Sequence, residues 1–313
     1  MNDKIDIVLP WLNSNDEHWK KQYEDYLLTV KTGDKSISRI RDWDNLKYFL
    51  RSVDKNCKWV NKVVLCVFDE YQIPEWLNVN HPKLKILYHR DYIPKECMPT
   101  FNGLCSTNFI FKHPEIENNL IYCNDDFFFV NKTKDTDYFI DNKCVKSLLK
   151  YKNLNWYYDF KNKKNNVWCQ LLSNTMEYKF KISGNKNLYL QKHLPCSFHK
   201  SDFTNFYEKY ESDLIIEFSK YESKIRQNTN IFIPYIIDWL QGDKGDFIQD
   251  NTFYLKNKVF EIFDNYDFSN FFKEISNLKT ICFNDSLNND NVTFERTKKI
   301  LEALFFEKCS FEI

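Results

Sequence analysis

The sequence predicts an α/β fold, Rossmann-like, with a mainly parallel sheet flanked by helices and a largely helical insertion. Three observations predict it. Short apolar runs of strand length recur at Ile5 to Leu9, Val63 to Phe68, Leu84 to Tyr88 and Leu120 to Cys123. Segments of helical periodicity separate them: Leu46, Phe49, Leu50 and Val53 in one, and a weaker pattern from about Leu104 to Lys112 in another. The first run ends at Pro10, and the fourth runs straight into Asn124-Asp125-Asp126. Strands alternating with helices imply a doubly wound sheet with right-handed crossovers.

The chain reads as a single domain over residues 1–313, in three parts. Residues 1–140 form the Rossmann-like half. Residues 141–278 change character, with aromatic-rich segments around Trp156, Trp168 and Phe180 before a helical stretch from about Asp202 to Gln241. This part reads as a mostly helical insertion or cap. Residues 279–313 return with an apolar strand, Thr280 to Phe283, and close with a helix from about Thr293 to Phe306.

Composition excludes several classes. With 43% hydrophobic and 18% aromatic residues the chain is not disordered. Five glycines leave little for a phosphate loop, and neither GxGxxG nor GxxxxGK[ST] occurs. Lys and Arg number 44 and Asp and Glu 44, so the basic excess of a nucleic-acid binder is missing. The densest basic run, Lys161 to Lys164, reads as a solvated loop, with an acceptor-binding patch as the alternative. Met1 to Asp6 is charged where a signal peptide would be apolar, and no stretch reaches the roughly 20 apolar residues of a membrane span. Ten cysteines lie scattered from Cys57 to Cys309 without a CxxC pair, which suits reduced, buried thiols of a cytoplasmic protein.

Ligands of such sheets bind beyond the carboxyl ends of the strands. That rule directs attention to Trp11 to Asp16, His89 to Asp91 and Asn124 to Asp126, which should converge on one edge. Asn124-Asp125-Asp126 is the sharpest signal, because adjacent carboxylates repel unless a cation or donors meet them. Mg²⁺ favours carboxylate and phosphate oxygens; the competing reading is an exposed turn. Phe127 to Val130 carries the core straight on, which speaks against a free turn. Asn284-Asp285 repeats the arrangement after Thr280 to Phe283, with a helix cap as its alternative. His193 and His199 are candidate bases, although a lone histidine is commonly structural. Arg226 and Arg51 sit in helical, charged neighbourhoods where a surface position is the ordinary expectation.

Together these residues resemble the Stealth family of hexose-1-phosphate transferases, which includes the catalytic subunit of the lysosomal-enzyme N-acetylglucosamine-1-phosphotransferase. Four blocks carry the resemblance. The first is Ile5-Asp6-Ile7-Val8 with Trp11-Leu12-Asn13-Ser14-Asn15-Asp16. The second is the most specific. It runs from Arg41-Asp42 through Leu50-Arg51-Ser52-Val53 and Ile73-Pro74-Glu75-Trp76-Leu77-Asn78. It continues through His89-Arg90-Asp91 and Pro99-Thr100-Phe101-Asn102 to Tyr122-Cys123-Asn124-Asp125-Asp126-Phe127. The third is His193-Leu194-Pro195 with Lys224-Ile225-Arg226, and the last Cys282-Phe283-Asn284-Asp285. Ser14 stands where the family has Gly and Pro10 where it has Thr.

The resemblance implies a nucleotide-sugar-transferase type of sheet, with residues 1–140 as the nucleotide-sugar-binding half. It implies transfer of a hexose- or N-acetylhexosamine-1-phosphate from a UDP-sugar to a hydroxyl of an acceptor glycan or capsular polysaccharide, releasing UMP. Mg²⁺ (or Mn²⁺) would be held by Asp126, Asn284 and Asp285. Asp125, His193 and Arg226 would be catalytic: His193 taking the acceptor proton, Asp125 in support, Arg226 on phosphate charge. Trp11, Asn13, Asp16, Arg41, Arg51 and Asn102 would bind substrate. The expected location is cytoplasmic, with a peripheral position on the inner face of the membrane as a variant. Two alternatives stay open, a glycosyltransferase of similar fold that releases UDP and a non-catalytic nucleotide- or glycan-binding module.

Overall fold

The computed structural model describes residues 4–151, 162, 166–190, 193–262, 267–285 and 291–313. Trp156 and Lys161, Lys163 and Lys164 of the basic run lie outside these residues. The central sheet uses β1 (Ile5–Pro10), β2 (Lys62–Val67), β3 (Leu84–Tyr88) and β4 (Asn119–Tyr122), all mutually parallel. Their spatial order is β4-β1-β2-β3, with a fifth strand, Cys196–His199, antiparallel on the β4 edge.

Alternation along the strands divides two cores. Ile7 and Leu9 of β1 and Val63, Leu65 and Val67 of β2 face one side, and Val8, Val64 and Cys66 the other. Because both faces are covered, β1 and β2 read as continuous apolar runs rather than half-polar ones. The first face packs on helix α2 (Asn45–Asn56) and on a second sheet. In that sheet β5 (Phe127–Phe129) pairs antiparallel with Thr280–Asp285, which pairs parallel with Asn257–Ile262. Helix α2 is tied to β5 directly: the Asn56 amide donates to the Phe129 carbonyl at 2.5 Å, and Phe129 N–H donates to Ser52 Oγ at 3.2 Å. The other face is covered by helices Gly103–Ile110, Lys200–Phe218 and Ile233–Lys244.

The structure departs from expectation in four places. Helix α1 (Glu17–Leu27), missing from the sequence reading, is capped by Asp16 and buries Trp19, Tyr23 and Tyr26 at helical spacing. Residues 141–278 hold three long helices, the two last named and Val167–Ser183, which contains both Trp168 and Phe180. The same region supplies strands Cys196–His199 and Asn257–Ile262 to the two sheets. The helical stretch from about Asp202 to Gln241 is two helices, because the chain leaves helix at Ser219 and restarts with Pro234 in the first turn of the next. All ten cysteines are free thiols. Among the described residues no helix is long and apolar enough to cross a membrane.

Arg51 is placed by this architecture and not by any ligand. Its guanidinium forms a two-pronged bond with Glu312 at 2.7 and 2.8 Å and donates to the Phe305 and Phe306 carbonyls. The side chains are 12% and 3% exposed, so α2 clamps the C-terminal segment through a buried ion pair. Burial alone would push the Glu312 carboxyl up, but the Arg51 bonds and the Cys309 N–H hold it below its ordinary 4.5. Removing one partner strands a buried charge, so Arg51→Ala should lower unfolding stability by about 3–5 kcal/mol in denaturant titration. The carboxyl is depressed in the folded state. Its contribution is therefore present above 4.5 and lost as pH falls through the lower folded value. In Arg51→Ala that acid-side loss of stability should shrink.

Candidate active site

The four parallel strands end at one edge, and an open cleft of about 830 Å³ is walled by the residues that leave them. Trp11 follows β1, Phe68 follows β2, His89 follows β3 and Asn124 to Asp126 follow β4, all lining the same space. Asn284 and Asp285 join from the second sheet, where Phe283 N–H donates to the Asp126 carbonyl at 2.9 Å. The space is of the size that holds a nucleotide-sized ligand.

Of the candidate catalytic residues, Asp125, His193 and Arg226 all line the cleft, and so do the candidate metal ligands Asp126, Asn284 and Asp285. Of the substrate-binding candidates, Trp11, Arg41 and Asn102 do. Asn13, Asp16 and Arg51 do not. Asp16 is spent on the cap of α1, accepting from Trp19 N–H at 2.8 Å. Asn13 closes its own turn, accepting from Asn15 N–H at 3.1 Å, while its carbonyl accepts from Gln72 at 3.0 Å. Arg51 is the C-terminal clamp described above. His199 lies on the antiparallel edge strand, its Nδ1 2.9 Å from Asn119 Oδ1, outside the cleft.

Asp126 organises the acidic end. Its Oδ2 lies 3.1 Å from His193 Nε2 and accepts from the Cys282 thiol at 3.4 Å. Among the described residues its Oδ1 is buried with no hydrogen-bond partner. Asp126, His193 and Cys282 therefore bring one oxygen, one nitrogen and one sulfur within 4.8 Å of each other, a possible metal-holding group. The chemistry of the set favours a different division. Burial, then the charge of Asp126, push the Cys282 thiol well above its ordinary 9, and its S–H donates to Asp126. The open Oδ1, in the cleft that Asp125, Asn284 and Asp285 also line, fits a hard cation such as Mg²⁺. Asn284 and Asp285 are meanwhile engaged: the Asn284 amide donates to Glu261 at 2.6 Å, and Arg41 donates to both Asp285 oxygens at 3.0 Å. Arg41, expected on substrate, is thus the counter-ion of Asp285.

Burial first, then Asp126 and Asp42, push the Asp125 carboxyl up to about 8. Asp42 was missed as a member of the acidic group, although it adjoins Arg41; burial pushes its own carboxyl up to about 6. Around His193 burial acts to lower the imidazole pKa, but Asp126's charge and hydrogen bond prevail and leave it above 6.5. The ring packs edge-on against Phe127 at 4.9 Å, and Nε2 also sits 3.3 Å from the Asn124 amide nitrogen. Among the described residues Nδ1 has no hydrogen-bond partner.

Arg226 is the opposite case to Arg51. Among the described residues its guanidinium makes no ion pair and no hydrogen bond, and burial together with Arg39 lowers it to about 10. Arg39 itself pairs with Asp34 at 2.8 Å. The loop carrying Arg226 is held by buried amides. Asn102, itself 2% exposed, donates to the Ser223 carbonyl at 3.0 Å and to Asn230 Oδ1 at 2.8 Å. Asn230, fully buried, also accepts from Gln227 N–H at 2.8 Å and donates to Glu217 at 2.9 Å. Asp34 N–H closes the loop on the Arg226 carbonyl at 2.8 Å. In this network Asn102 positions the loop, and it also lines the cleft where the sequence reading expects a substrate contact. Asn230→Ala removes the acceptor of the buried Gln227 N–H together with its bonds to Asn102 and Glu217, and should cost about 1–3 kcal/mol of stability in denaturant unfolding.

Comparison with known proteins adds the family. Residues 39–147 match the family model described as Stealth protein CR2, conserved region 2. The chain is 30% identical over 343 residues to the capsular polysaccharide phosphotransferase WcwK of Streptococcus pneumoniae, covering 99% of this chain and 98% of that protein. Capsular polysaccharide phosphotransferase SacB of Neisseria meningitidis serogroup A is 32% identical over 145 residues, 46% of this chain and 26% of its own. Among solved structures, galactosyltransferase LgtC in complex with donor and acceptor sugar analogs covers 95% of both chains at 11% identity and a TM-score of 0.44. With a relative 30% identical from end to end and the conserved region within it, the chain belongs to the Stealth family and is a transferase.

Proposed function

We propose that the protein transfers a sugar-1-phosphate from a UDP-sugar to a hydroxyl of an acceptor glycan of the capsular class, forming a phosphodiester and releasing UMP. One observation carries the reading. Among the described residues, Asp126 is divided between His193 on one oxygen and a buried, unpartnered second oxygen, in the same cleft as a guanidinium without a counter-ion. An acidic end that accepts a cation, a cation that accepts an anion and a histidine beside the first are what a phosphoryl transfer needs. The names of the relatives, capsular polysaccharide phosphotransferases, point to the same class.

The acceptor oxygen attacks the phosphorus that bears the sugar, and the anhydride bond to the other phosphate breaks. The electron pair of that bond leaves with UMP. With Nε2–H donated to Asp126, the His193 Nδ1 lone pair is the one free to take the acceptor proton. Asp126, through that bond, fixes the ring's orientation and tautomer, and Asp125 stands beside it in support. Arg226 meets charge developing on the phosphoryl oxygens, and its loop is fixed before substrate arrives. Mg²⁺ (or Mn²⁺), held by Asp126 with Asn284 and Asp285, would neutralise phosphate charge when bound.

With Mg²⁺ and a panel of UDP-sugars, mass spectrometry should find UMP released in step with a phosphodiester product. Stoichiometric UDP would install the glycosyltransferase reading instead. His193→Ala should lower turnover by roughly 10²–10⁴-fold with donor affinity little changed. His199→Ala, outside the cleft, should change turnover far less. Asp126→Ala should abolish turnover while circular dichroism reports an intact fold.

A further inference from the structure

Arg39 and Arg41 line the cleft together with Arg226. Arg41 is committed to Asp285. Arg39 is held through Nε, which donates to Asp34 Oδ2 at 2.8 Å. Among the described residues its terminal nitrogens have no hydrogen-bond partner, and its side chain is 35% exposed. A purely structural clamp would use the guanidinium fork, as Arg51 does on Glu312. Arg39 leaves that fork open, within reach of a ligand.

The loops that carry Arg39 and Arg226 are pressed together. Gly33 has φ +107°, which glycine adopts without strain, and a β-carbon there would lie 2.5 Å from Gln227 Nε2 and 2.8 Å from Ile225 Cδ1. Thr32 Oγ1 donates to Gln227 Oε1 at 3.2 Å. Asp34 then joins the two arginines directly. Its N–H donates to the Arg226 carbonyl at 2.8 Å, and its Oδ2 takes Arg39. Its Oδ1 is occupied by Ser36, accepting from the N–H at 3.1 Å and the hydroxyl at 2.5 Å. Two guanidiniums therefore stand around one carboxylate that is already engaged. Like charges so placed repel, and Arg39 helps to lower the Arg226 pKa. The arrangement becomes favourable when an anion with more than one phosphate lies against both forks.

We propose that Arg39 is a second phosphate-binding residue, and that Arg39 and Arg226 each take one phosphate of a diphosphate. This rests on the phosphoryl-transfer reading, in which Arg226 meets the phosphoryl group under attack, and it assigns Arg39 to the phosphate that leaves. When the anhydride bond breaks, its electron pair goes to the oxygen of the departing nucleoside monophosphate, and the Arg39 fork donates to that new charge. A diphosphate engages both guanidiniums and a monophosphate only one. The departing product is therefore held less tightly than the donor.

The test is calorimetric titration of inorganic pyrophosphate and inorganic phosphate, in metal-free buffer, into the full chain and its variants. The wild type should bind pyrophosphate about tenfold or more tightly than phosphate, the worth of one further charge-assisted contact and a comparison that needs no variant to fold. In Arg39→Gln, checked by its melting curve, pyrophosphate should weaken by about tenfold while phosphate, left on Arg226, changes by about twofold or less. Arg39→Lys keeps the charge and gives up the fork, and should fall between the two. If Arg39 only scaffolds the Arg226 loop, both anions weaken together in Arg39→Gln, and that result overturns the proposal. Unchanged pyrophosphate binding in the variant overturns it too, as does a wild type that binds the two anions equally or binds neither. The two readings fail separately: a UDP product defeats phosphate transfer and leaves the two-phosphate grip standing, whereas a lost pyrophosphate preference leaves a UMP product standing.

Discussion

The crowding of carboxylates at the end of β4 is the constraint on which the rest of the site depends. Asp42, Asp125, Asp126 and Asp285 meet where the central sheet abuts the second one. Two like charges about 4 Å apart repel by roughly 4 kcal/mol at the effective dielectric of a protein surface, and burial adds to this. Each carboxylate is handled differently. Asp285 takes Arg41, Asp126 takes His193 and Cys282 on one oxygen, and Asp125 is pushed up to about 8. What stays uncompensated is the buried Oδ1 of Asp126. Asp42, like Asp125, is raised by burial, to about 6, so on the proposed reading the open Asp126 oxygen is the one left for a cation.

The fold's scaffold was legible because parallel strands covered on both faces must be apolar throughout, and Ile5 to Leu9 or Val63 to Phe68 have few other ways to be buried. The site followed from the same logic, since residues just beyond such strands share an edge whatever the helices do. Asn13 and Asp16 misled because they satisfy that positional rule while their side chains are consumed locally, by a turn and a helix cap. Arg51 misled for the opposite reason: its partner is Glu312, 261 residues away in the chain, and nothing near position 51 encodes it. The edge strand Cys196–His199 has four residues, and long-range pairing with β4 decides its conformation more than its own propensity does.

Arg51 and Arg226 show why residue type does not settle role. Both are arginines in resemblance-carrying blocks, and both are largely withdrawn from solvent. Arg51 has four of its five donors matched by a carboxylate and two carbonyls at the C-terminal segment, away from the cleft. Arg226 has its backbone matched and its guanidinium, among the described residues, unmatched, and burial together with Arg39 lowers its pKa to about 10. The difference becomes visible only when donors are counted against acceptors.

The same counting explains why the protein invests buried amides beneath Arg226. A long, unpaired cation on a mobile loop would spend its time in solvent, where hydration is most favourable, and would have to be gathered at each turnover. Asn102 and Asn230 fix the backbone on both sides of Arg226, and Asp34 N–H fixes the residue's own carbonyl. These bonds are neutral, so they do not compete for the guanidinium charge as a salt bridge would. The loop can thus be rigid while the charge stays available. On the proposed function, the fold meets the cost of holding an unpaired cation in advance, and an arriving phosphate would recover it as binding energy. On this argument the amide network belongs to the chemistry of the site as much as to its stability.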